Sequence, residues 1–134
     1  MTQAIIYTNE LGGVSVCIPT GEISIEAVQA KDTPKGSIIV NQSDLPNQYN
    51  DFFDGWELVD GKVEVSLAKA KEITKKRLRS EREPLLAAQD VAFQRALETG
   101  ADTSAIVAEK ARLRDVTTLA DAETTLEGLR AIKV

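Results

Sequence analysis

The spacing of the apolar residues changes at Ser66, and that change constrains the fold more than any other feature. Ahead of it, apolar residues come in short β-branched runs bounded by Gly, Pro, Asn and Asp. Behind it they recur at three-, four- and seven-residue steps, the spacing of one helix face. The chain therefore predicts an α+β protein. Residues 1–66 form a small antiparallel β-rich domain with one short helix. Residues 67–134 form a helical region, an αα-hairpin followed by a short terminal helix.

Within the first part, "QAIIYT" and "GVSVCIP" flank "NELGG" and predict a hairpin. "SIEAVQAKD" predicts a two-turn helix capped by Ser24, with Ile25 and Val28 on one face. "GSIIV" is a further strand, and Phe52 and Phe53 sit on a polar loop with one helical turn. "WELVDGKVEV" is the clearest hairpin: Trp56 and Leu58 alternate against Val63 and Val65 across Asp60-Gly61, a pair that tolerates positive φ. Aromatic residues make up only 4% of the chain, so the core is expected to be aliphatic.

In the second part Ser66 is placed to cap a helix starting at Leu67. Pro84 interrupts that helix, and a proline inside a helix costs ~3 kcal/mol or more. A kink near Arg79–Ser80, or a fresh start at Pro84, is expected. Gly100 closes the helix and Asp102 or Thr103 caps the next, giving the hairpin. "LADAETTLEGLRAI" is expected as a single terminal helix carrying Leu119, Leu126, Leu129 and Ile132, weakened by Gly128.

The chemistry is mostly excluded by what is missing. There is no histidine and a single cysteine, Cys17, on a strand between apolar residues. An intrachain disulfide, a Cys/His zinc site and Ser-His-Asp or Cys-His catalysis all drop out. No Gly-rich phosphate loop or calcium-loop spacing is present. No catalytic, cofactor or metal residue is assigned, and a non-enzymatic protein is expected. No apolar run reaches the roughly 18 residues of a membrane span, and the first residues lack the basic start of a signal peptide.

Charge is uneven. Residues 1–66 carry ten acids against three bases, and residues 67–134 eleven against thirteen. Lys71, Lys75, Arg79 and Arg82 line one face of the predicted helix, and such a stripe can follow phosphates. The acidic total and the lack of aromatic stacking residues beside the stripe weigh against nucleic acid, leaving a solvated face or a contact with protein.

"AKEITKKRLRSEREPLLAAQDVAFQRALETG…VAEKARLRDVT", residues 69–117, resembles the C-terminal segment of small accessory proteins of tailed bacteriophages, the tail or tail-fibre assembly chaperones. The shared pattern is Leu85, Leu86 and Asp90, then Arg95 to Glu98 with Gly100, then Leu113, Arg114 and Asp115. "PTGE" at 19–22 and "DFFDGWEL" at 51–58 are similar to the front of some of the same proteins. The usual Trp after Asp90 and the aromatic before Leu113 are absent; Val91, Ala92 and Ala111 stand there.

The resemblance implies binding to a tail or tail-fibre polypeptide, in the host cytoplasm during assembly or in the virion tail. Leu78, Leu85, Leu86, Phe93 and Leu97, flanked by Arg79 and Arg82, are the candidate partner-binding residues. Two helices cannot bury such a stripe alone, so a sheet, a second copy or a partner is expected to cover it. A homo-oligomeric tail component and a small nucleic-acid-binding regulator are the alternatives.

Overall fold

A computed structural model describes residues 2–134, so residue 1 of the expected 1–66 segment lies outside the described residues. The architecture is α+β: a small antiparallel β part followed by helices. The chain divides into two compact units, Met1–Ala70 and Lys71–Val134. The division falls in the first turn of the long helix, between Ala70 and Lys71.

In the first unit, β1 (Gln3–Thr8) is the middle strand, with β2 (Val14–Cys17) and β3 (Ile38–Asn41) antiparallel on either side. β4 (Trp56–Val59) and β5 (Lys62–Val65) form a separate hairpin. Asp60 and Gly61 both have positive φ, 51° and 78°, the conformation a two-residue connection requires. α1 (Ile25–Asp32) starts where expected, the Ser24 hydroxyl accepting from the Ala27 amide at 3.2 Å.

Strand alternation puts Ile6, Val14, Val16 and Val40 on one face of the three-stranded sheet. That face meets Trp56, Leu58, Val63 and Val65 of the hairpin. Ile5 points to the other face and is also fully buried, and α1 contacts its strand. The expectation of an aliphatic core is corrected here. Trp56 and Phe52 are both almost wholly buried, and the Trp56 indole donates to the Tyr49 carbonyl at 3.1 Å. Scarce aromatics still enter the core of a small unit, where each buries a large area among aliphatic neighbours.

α2 (Leu67–Thr99) begins under Ser66, whose hydroxyl accepts from the Lys69 amide at 3.3 Å. It is one continuous helix through Pro84, so the alternative of two helices meeting at the proline is corrected. Pro84 is exposed, so its ring meets water. The end of α2 matches expectation. Gly100 has φ 70°, its amide donates to the Leu97 carbonyl at 3.3 Å, and the Ala101 amide donates to the Ala96 carbonyl at 2.8 Å.

α3 (Ser104–Asp115) follows, with the Asp102 carboxylate accepting from the Ser104 amide at 3.1 Å. The single terminal helix expected after it is corrected to two, α4 (Thr118–Ala122) and α5 (Leu126–Ala131). Glu123 is extended (φ −74°, ψ 146°), and Thr125 restarts the helix by accepting from the Gly128 amide at 3.0 Å. Leu78, Ala96, Leu113, Val116, Ala120, Leu129 and Ile132 are the buried apolar residues of the second unit.

Candidate functional site: the helical hairpin and its basic residues

Position on α2 divides the candidate stripe in two. At about 100° per residue, Leu78, Leu85, Ala92 and Ala96 fall on one line. Arg79, Leu86, Phe93 and Leu97 fall on a second, about 100° around the helix. The first line is buried at its two ends. Leu78 has no exposed surface and Ala96 is buried, so Leu78 is corrected from a partner-binding residue to a core residue. Leu85, directly after Pro84, is 41% exposed.

The second line stands at the border with α3. Arg79, Arg82 and Leu86 come together around a shallow groove of about 440 Å³ with Glu83, Ala87 and Asp90. Asp90 accepts an ion pair from Lys110 of α3 at 2.6 Å, and the same ammonium sits 5.2 Å from the centre of the Phe93 ring. Lys110 thus straps α3 to this line and half-covers Phe93. Leu97, a turn further on, is 60% exposed. Val91 and Val107 are also exposed, on other faces of α2 and α3.

The basic residues of 71–82 do something that local sequence did not reveal. The Lys71 ammonium donates to the Asp121 carbonyl at 3.1 Å, at the end of α4. The Arg77 guanidinium donates to the Leu129 and Ile132 carbonyls at 3.3 and 2.9 Å, at the end of α5, and pairs with Glu81 at 2.7 Å. Arg82 donates to the Leu113 and Arg114 carbonyls at 3.2 and 2.7 Å, at the end of α3.

Three cations on one helix therefore terminate three other helices. The last carbonyls of a helix lack partners within it and carry the negative end of its dipole. Lys75 adds ion pairs to Asp121 and Glu72, and its amine is held above the ordinary range, chiefly by the hydrogen bond to Asp121. Among the described residues, Arg79 alone of the four stripe residues has no polar partner, and it is exposed.

Elsewhere on α3 the Glu109 carboxyl is held below its ordinary range by the hydrogen bond from Arg112. Asp102 is lowered by donation from the Ser104 hydroxyl. Both are surface contacts between near neighbours. Among the described residues, no group of three or more Cys, Asp or Glu side chains is placed to hold a metal ion. No helix of the described residues is long and apolar enough to cross a membrane. Cys17 is half-buried on β2. No family model matches the chain, and no curated protein or solved structure is significantly similar to it.

Proposed function

We propose that this is a non-enzymatic bacteriophage protein that binds a tail or tail-fibre polypeptide during assembly, through the outer side of the α2–α3 hairpin. The observation that carries the binding surface is the exposure of Leu85, at 41% and adjacent in sequence to the groove residue Leu86, and of Leu97, at 60% and on the same helix line as Leu86. Large apolar side chains next to a concave polar rim are the kind of anchor a partner desolvates. The phage assignment rests on the resemblance of residues 69–117.

The nucleic-acid alternative loses most of its motive. Lys71, Lys75 and Arg82 are engaged by α3, α4 and neighbouring carboxylates, so a phosphate would have to compete with them.

The test is co-expression with a tail-fibre polypeptide, followed by affinity purification, for wild type and for Leu97→Asp. Co-purification with wild type and its loss with Leu97→Asp supports the proposal. Sedimentation of the protein alone decides the homo-oligomer alternative. A stable oligomer disrupted by Leu97→Asp would assign this surface to a second copy instead.

A further inference from the structure

One side of the first unit is open. β4 approaches β1 and β2. Between β3 and β5 lies a groove of about 570 Å³, floored by Ile6, Val40, Leu45 and Val63, with Asp44, Lys62 and Glu64 at its rim. The floor is continuous with the unit's core, since these four apolar residues belong to the cluster around Trp56.

The backbone on both walls points outward without a partner. The Gln42 amide donates to the Thr2 carbonyl at 2.9 Å, so Thr2 and Gln42 are a hydrogen-bonded pair. Antiparallel alternation then makes Ala4–Val40 and Ile6–Ile38 bonded pairs and turns the amide and carbonyl of Ile39 away from β1. On the other wall the Ser66 amide donates to the Gly55 carbonyl at 2.8 Å. The same alternation turns the peptide groups of Val63 away from β4. Among the described residues no strand lies beyond β3 or β5. Open edges of this kind are usually blunted or covered, and an apolar slot beside them does the opposite.

We propose that this groove receives an extended segment of another polypeptide, which adds a strand to the β3 edge. Two features define the occupant. The Ile39 amide and carbonyl stand open for ladder hydrogen bonds, which an extended backbone matches and a helix or a small molecule does not, so the guest is a strand. The slot takes every second side chain, so those are apolar.

The intervening side chains are basic. Residues 1–66 carry ten acids against three bases, and two of the three charged rim residues, Asp44 and Glu64, are acidic. β3 is four residues long, about 13 Å at ~3.3 Å per residue, so the contact needs only a short run of alternating apolar and basic residues. This surface lies wholly in the first unit and is independent of the helical hairpin.

The experiment uses the full chain and a short synthetic peptide alternating valine and lysine. Amide hydrogen exchange is read by NMR at Ile39 and Val63. The proposal expects the peptide to slow Ile39 exchange by about tenfold or more, and alternate N-methylation of the peptide to weaken binding about tenfold through lost backbone hydrogen bonds. Leu97→Asp leaves both effects intact, which separates this site from the hairpin surface. Unchanged Ile39 exchange at millimolar peptide overturns the proposal. So does equal binding of the N-methylated peptide, which would mean charge attraction only. Ile39 protection that appears without peptide and rises with protein concentration would give the groove to a second copy, against the occupant argued here.

Discussion

Replacing Arg82 by Met keeps the aliphatic stem and removes the two hydrogen bonds to the Leu113 and Arg114 carbonyls. A hydrogen bond from a charged donor is worth about 1.5–3 kcal/mol, and a cation at a helix C-terminus about 0.3–1 kcal/mol more at a surface. Both bonds come from the same guanidinium nitrogen, so they do not add fully. Arg82 is also only half-buried, so water replaces part of what is lost. The net cost is about 2 kcal/mol.

With an m-value of about 1.5 kcal/mol/M, the urea midpoint should fall by about 1.3 M with the slope unchanged. Far-UV circular dichroism is the assay, because it follows the helices. Hydrogen exchange should also show the last turn of α3 fraying. Arg82→Lys keeps the charge but not the planar fork and should lie between the two. A midpoint within error of wild type for Arg82→Met would refute the claim that this residue terminates α3.

Other outcomes follow from the same structure. Leu78→Ala should cost about 2–5 kcal/mol, as for other buried leucines, while Leu97→Asp should change stability by no more than about 0.5 kcal/mol. Comparable losses in both would mean that the inward and outward lines of α2 are misassigned. Pro84→Ala should stabilise by about 1–3 kcal/mol by restoring an amide for the Ser80 carbonyl within an unbroken helix; a destabilised variant contradicts this. The lowered carboxyls of Asp102 and Glu109 contribute stability above the ordinary carboxylate range, and it is lost as pH falls through their depressed folded values. The raised Lys75 amine does the reverse, its contribution being lost as pH climbs through its folded value. An NMR titration of Ser104→Ala should show Asp102 returning upward, and no change there removes Ser104 as the cause.

Much of the fold was legible because its signals are local. Ser24, Asp60-Gly61, Ser66 and Gly100 each act within a few residues of where they stand, and each does what its chemistry predicts. What was not legible depends on distant partners. The pairing of β3 with β1 joins segments about thirty-five residues apart, and nothing near Ile38 announces it.

The basic run is the sharper case. Lys71, Arg77 and Arg82 find carbonyls 31 to 55 positions away. A stripe that looks like a ligand surface in a helical projection is largely used up inside the unit. Leu78 misled for the same reason. Its spacing matches Leu85, but the chain itself supplies the cover that a two-helix reading assigned to a partner. At 123–125, an extended Glu123 and the capping Thr125 split one apolar periodicity into two helices.

The most direct test of the functional account is titration calorimetry of a tail-fibre polypeptide against wild type, Leu97→Asp and Arg79→Gln. The account predicts measurable binding by wild type and a loss of about thirtyfold or more for Leu97→Asp, the size expected when a central apolar anchor becomes charged. For Arg79→Gln it predicts a change mainly in salt dependence, since a rim charge steers encounter more than it adds affinity. Unaltered affinity in Leu97→Asp, or a wild-type protein that ignores the polypeptide and binds nucleic acid in a salt-sensitive way, would contradict it.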